Sequence, residues 1–126
     1  MRAVDTNVVV RLMARDDERQ TAAAEAFVAG GAWVSHLVLI EAMWVLASAY
    51  DQPPAKIAKA VEILLQHRDL TLEEPDVVTA ALDRFRERPK LGFSDCLILE
   101  VARRAGHLPL GTFDRNFAKL PGTTKL

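Results

Sequence analysis

The sequence predicts an α/β sandwich built on a mainly parallel sheet. Two observations carry that expectation. Short apolar stretches alternate with longer segments of helical period, and residues that start or stop helices lie at the boundaries between them. In such sheets chemistry gathers outside the carboxyl ends of the strands.

The elements follow in order. Residues 2–5 form a first strand. "VVVRLM" is ambiguous, since its β-branched run suits a strand while its position suits a helix after a turn. "DDERQTAAAEAFVAGG" predicts a helix with acids in its first turn, Ala in its middle and Gly30-Gly31 as its stop. "AWVS" (32–35) is a second strand, and Ser35 can cap a helix over 36–50. Pro53-Pro54 opens a helix over about 54–67, and "LTLEE" (70–74) is a third strand. Pro75 suits the first turn of a helix running to about Glu87. After "LGF", a helix runs from about Ser94 to Ala105 and stops at Gly106. "LPLGTFD" is a fourth strand followed by a turn, and "TTKL" a short edge strand.

A length of 126 residues suits one domain, 1–126, and a hydrophobic half of the residues allows a real core. Sixteen Lys and Arg against 17 Asp and Glu leave a net charge of -1, which gives no global attraction to nucleic acid. The lone Cys96 excludes an internal disulfide and a cysteine-based zinc site. No secretory signal is visible, and the apolar stretch "HLVLIEAMWVLASAY" is interrupted by Glu41 and falls short of the ~20 residues a membrane helix needs. A cytoplasmic location with no membrane contact is expected.

Most of the acids have ordinary explanations. Asp16, Asp17, Glu18 and Asp76 favour helix N-termini. Glu100 has Arg103 and Arg104 at helical spacing, which predicts a solvated ion-pair face. Glu41 differs. Leu37, Val38, Trp44 and Val45 surround it at helical spacing, so no local cation is on offer. A buried ionised Glu is costly unless paired. It meets an Arg from elsewhere, faces water at a rim, or holds a bound cation. Asp5, Asp95 and Asp114 each read as a helix cap or turn residue, or as a metal ligand. Three acids at strand-to-helix junctions and one on an apolar helix could gather at one sheet edge. Carboxylates gathered there repel one another. Mg²⁺ or Mn²⁺ would reverse that, since hard cations choose carboxylate oxygens, and such a site suits phosphodiester hydrolysis.

Four motifs stand in order along the chain: "VDTN" with Asp5 and Asn7, "SHLVLIEAMWVL" with Ser35 and Glu41, "FSDCLIL" with Ser94 and Asp95, and "TFDRNF" with Thr112, Asp114 and Phe117. In these the sequence resembles the PIN-domain ribonucleases, and within them the VapC-like toxins of type II toxin–antitoxin pairs. Cys96 stands where Ala is common. The resemblance implies a three-layer sandwich with a parallel five-stranded sheet. It implies Mg²⁺- or Mn²⁺-dependent endoribonuclease action by metal-activated water, without a covalent intermediate. Asp5, Glu41 and Asp95 would bind metal, and Asp114 would complete the acidic pocket directly or through water. Thr6, Asn7, Ser94 and Thr112 would orient ligands or water. A toxin role implies a homodimer and a cognate antitoxin protein. The helix over 36–50 is apolar all round, which makes it the candidate dimer contact.

The RNA substrate must be drawn to an acidic site. Arg11, Arg15 and Arg115, with Lys119, could contact phosphates or be solvated surface charges. "RFRERPK" (84–90) reads as the polar end of a helix with Phe85 facing inward, and Trp33 and Trp44 as core or dimer contacts. His36, His67 and His107 form no helical pair and no metal spacing. Two rival functions remain. A phosphatase-like enzyme with Asp5 as nucleophile lacks its acid/base partner, because Asn7 stands there. A non-catalytic PIN-like module that holds RNA or protein would have no use for a costly Glu41. A processing nuclease would share the chemistry of a toxin.

Overall fold

A computed structural model describes residues 1–126. Five strands and six α-helices alternate along the chain, and every strand pairing is parallel. Strands β1 (Arg2–Ala3), β2 (Ala32–Val34) and β3 (Leu70–Leu72) form one sheet in the order β1-β2-β3. Arg2 faces Ala32, and Trp33 faces Thr71. Strands β4 (Leu110–Thr112) and β5 (Thr123–Lys125) form a second, two-stranded sheet.

The expected continuous five-stranded sheet is therefore two parallel sheets of three and two strands. The first strand is short. Only Arg2 and Ala3 are extended in the ladder, and the bond from Val4 N to Trp33 O at 3.2 Å is its last. Asp5 then accepts from Val8 N at 3.2 Å and turns the chain into helix α1 (Thr6–Ala14). A cap at Asp5 overrides the β-branched run "VVV", which settles that ambiguous segment as helix with Val9, Val10 and Leu12 buried.

The remaining helices begin where their start signals lie. Asp17 accepts from Gln20 N at 2.9 Å and caps α2 (Glu18–Val28). Ser35 Oγ accepts from Val38 N at 3.1 Å and caps α3 (His36–Ser48), a contact of the kind that contributes about 1 kcal/mol. Pro54 and Pro75 occupy the first turns of α4 (Pro54–Gln66) and α5 (Pro75–Glu87). Helix α6 (Phe93–Ala105) starts one residue earlier than predicted. Its cap position is Gly92 at φ 81°, a left-handed conformation that a side chain would strain. Gly106, also left-handed at φ 83°, ends α6.

The alternating strand pattern buries Ala32, Val34, Leu70 and Leu72 and leaves Trp33 and Thr71 exposed. These four join a core cluster of 27 residues that all six helices help to build. A second cluster is separate and small: Leu99, Phe117 and Leu120, with Leu91 and Leu110 packed against it. It joins α6 to the C-terminal sheet and to two short 3-10 turns, Pro89–Leu91 and Phe117–Lys119.

Two side-chain expectations change. Glu100 is buried, not solvated, because α6 packs on α5. It lies 3.4 Å from Arg103 and 4.0 Å from Arg84, while Arg104 turns to Asp76 and Glu74. Trp33 and Trp44 are exposed, so neither is a core residue, whereas Phe85 faces inward as expected. No helix is long and apolar enough to cross a membrane.

Candidate active site

The four singled-out acids fall into two pairs. Asp5 sits just past β1 and caps α1. The next residue, Thr6, donates its hydroxyl to Glu41 Oε1 across the contact between α1 and α3. One short stretch of chain thus carries the first carboxylate and orients the second. Asn7 is exposed beside Asp5, and both line a hollow with Arg11 and Phe27.

Glu41 is exposed rather than buried. Its apolar helical neighbours mislead because α3 carries apolar residues on its solvent side too. Leu37 is 82% exposed and Trp44 is 67% exposed. Of the three possibilities open for Glu41, an Arg partner is absent and a rim position is observed.

The second pair is Asp95 and Asp114. Asp95 lies in the first turn of α6 and is half-buried, and neither it nor Ser94 caps the helix. Burial pushes the Asp95 carboxyl above its ordinary range, and the nearby charge of Asp114 pushes it further. Asp114 follows β4 by two residues. Its Oδ1 accepts from Phe117 N at 2.8 Å, and its own N–H donates to Thr112 Oγ1 at 3.0 Å. The turn role expected for Asp114 is real, and one of its oxygens is committed to it. Ser94 lines a cleft with Ile40, Trp44 and Phe93, which joins the start of α6 to the Glu41 helix.

No Lys, Arg or His lies within 4.0 Å of any of these four carboxylates, although nine other acids of the chain have such a partner. Neutral N–H and O–H groups hold Asp5, Glu41 and Asp114 instead. Hard oxygen donors without a protein counter-ion fit Mg²⁺ or Mn²⁺ in chemistry. The side chains do not close a cage, since no three His, Cys, Asp or Glu groups stand at metal-binding separation.

The candidate cations behave differently from one another. Arg11 donates to Asp16 at 3.1 Å, Gln20 at 2.5 Å and Tyr50 at 3.0 Å. Arg15 pairs with Glu25 at 3.3 Å. Arg115 is exposed and has no acidic partner within reach. His36 is satisfied by the backbone and carboxylate of Glu73, at 2.7 and 2.8 Å, and His67 accepts from Asp69 N at 3.0 Å. Burial, reinforced by Asp95, pushes the Cys96 thiol up to about 11, so it is protonated and enclosed at neutral pH. Sequence reasoning passed over Gly92, whose left-handed conformation sets the start of α6 and so the placement of Asp95; its one signal was a glycine directly before "FSD".

Asp5 and Asp114 stand just beyond β1 and β4, whereas Glu41 lies within α3 and Asp95 follows the 3-10 turn Pro89–Leu91 instead of the strand-to-helix junction expected for it. The sequence matches the PIN domain family over residues 2–122, and the chain belongs to that family. PIN domains are generally nucleases and typically use Mg²⁺ or Mn²⁺. No curated protein and no solved structure gives a significant match to the chain.

Proposed function

We propose that this chain is a metal-dependent endoribonuclease, a single domain over residues 1–126, and the toxin of a cytoplasmic toxin–antitoxin pair. The carrying observation is the set of four carboxylates that have no protein cation, with Asp95 held above its ordinary range by burial and by the charge of Asp114. Asp5, Glu41 and Asp95 would hold Mg²⁺ or Mn²⁺, with Asp114 completing the pocket. Such a cation would neutralise the carboxylates and would supply an activated water for attack on phosphorus. The chain's own groups do the positioning. Thr6 fixes one Glu41 oxygen, and the Phe117 N–H fixes one Asp114 oxygen, leaving the other free. Thr112 holds the Asp114 backbone, and Asn7 and Ser94 stand beside Asp5 and Asp95 to orient water or substrate.

The toxin reading carries two partners. The exposed Leu37 and Trp44 on α3 support a homodimer contact there, which sedimentation as a monomer at micromolar concentration would remove. A cognate antitoxin would fill the acidic pocket and block cleavage when added back to the purified chain.

The nuclease reading is tested with a pool of structured RNAs incubated with Mg²⁺, Mn²⁺ or chelator, with Asp5→Asn alongside. Cleavage that needs metal and falls at least ~10²-fold in the variant is the expected result. No cleavage together with no metal binding by calorimetry would overturn it.

A further inference from the structure

Arg11 and Arg15, which follow Asp5, are turned to acids of their own chain, so free cations for a polyanion are sought elsewhere. The 3-10 turn Pro89–Leu91 and the 3-10 turn Phe117–Lys119 frame a hollow of about 380 Å³. Arg88, Lys90 and Lys119 line it, and the Asn116 amide adds a neutral donor and acceptor. All four side chains are exposed, and none of the three cations has a carboxylate within 4.0 Å. The one acid on the wall, Glu87, lies 3.6 Å from Arg84. Arg115, next to Asn116 in the chain, is also exposed and without an acidic partner.

Position gives this patch its meaning. One wall runs directly through Gly92 into the first turn of α6, which carries Asp95. The other wall is capped by Asp114, whose Oδ1 receives the Phe117 N–H. Leu91 from the first wall packs on the Leu99, Phe117 and Leu120 cluster, so both walls are fixed to one small core. Free positive charge thus adjoins the two carboxylates that repel each other. In a chain of net charge -1 this is a local field. Phosphates spaced along a strand match such a row of exposed cations, and single-stranded RNA presents them.

We propose that the hollow between residues 88–91 and 116–119 is the track for the RNA sugar–phosphate backbone, delivering the strand to Asp95 and Asp114. Arg88, Lys90 and Lys119 are its positioning residues. The inference rests on the nuclease reading for its substrate class, but it concerns binding and can fail separately.

The test compares two triple variants by fluorescence anisotropy with a labelled oligouridylate in magnesium buffer. One is Arg88→Gln with Lys90→Gln and Lys119→Gln. The other removes equal charge from exposed sites outside the hollow and its neighbouring strands, Arg19→Gln with Lys56→Gln and Arg68→Gln. Both, and the parent, carry Asp5→Asn so that the RNA stays intact, and circular dichroism verifies folding. The hollow variant is expected to bind about tenfold or more weakly, with a salt slope lower by about 2, as the loss of three phosphate contacts on a single strand requires. The second variant should match the parent. Equal weakening in both, no change in the hollow variant, or no RNA binding by the parent would overturn the proposal. Cleavage assays on the chains with Asp5 restored separate the two readings. Cutting by the parent with an unchanged hollow variant sinks the track alone. Selective loss of binding with no cutting sinks the nuclease alone.

Discussion

Asp95→Asn is expected to raise the melting temperature of the chelator-treated protein while abolishing its RNA cleavage. Burial, then the charge of Asp114, holds the Asp95 carboxyl above its ordinary range. The folded state therefore keeps this proton at pH values where the unfolded chain has released it. By linkage, stability is highest below the ordinary carboxylate pKa and falls as pH rises through the window up to the raised value. At neutral pH the ionised group opposes folding, and an uncharged amide of the same shape removes that opposition. The gain should shrink as pH is lowered through the same window. The amide is a poor ligand for a hard cation, so cleavage should fall at least ~10²-fold. Thermal melts in chelator at several pH values, beside cleavage assays in metal, read both effects. A lower melting temperature at neutral pH would make Asp95 a structural residue, and retained cleavage would remove it from the site.

Phe93→Ala is expected to cost about 3–5 kcal/mol, a large share of the ~5–15 kcal/mol that holds a domain of this kind together. Phe93 is 4% exposed and meets Phe85 edge-on, with ring centroids 6.0 Å apart and planes at 73°. It follows the left-handed Gly92 and begins the helix that carries Asp95. The pair pins the start of α6 to α5, so the loss combines a cavity with a released helix end. Phe93→Leu keeps most of the volume and should lose far less. Urea midpoints of the two variants give the comparison. A loss below about 1 kcal/mol for Phe93→Ala would show that the ring is not what fixes α6.

Sequence reasoning found the helices well because their punctuation is chemical. Ser35, Pro54, Pro75 and Gly106 each act through a property of the residue itself, and each marks a boundary in the structure. The strands were harder to bound. Strands of two or three residues hold too few side chains for alternation to show an end, so residues 2–5 read as one strand although Asp5 already belongs to α1 as its cap. Which strands share a sheet depends on long-range pairing, which local pattern does not carry. Glu41 and Glu100 were misjudged in opposite directions for one reason. Neighbours along a helix report its own composition, not which face meets another helix. An exposed apolar stripe on α3 made Glu41 look buried, and arginines beside Glu100 made a buried residue look solvated. The four acids were legible as motif positions, but no three of them stand at metal-binding separation in the structure. Their division into an Asp5–Glu41 pair and an Asp95–Asp114 pair was not, since a hydroxyl bridge from Thr6 has no sequence signature.

The break between the two sheets runs through the candidate site. Asp5, Glu41 and the start of α6 belong with the large core, while Asp114 rides on the small unit held by Leu99, Phe117 and Leu120. Three buried side chains resist local opening far less than 27 do. The C-terminal unit is therefore expected to open first, and each opening would carry Asp114 away from Asp95. Amide exchange should record this directly, with the ladder protons of β4 and β5 lost to deuterium before those of β2 and β3. Equal protection in both sheets would mean that they open as one. With a cation held between Asp95 and Asp114, the same exchange should slow, because the ligand would then bridge two parts that the fold alone leaves loosely joined.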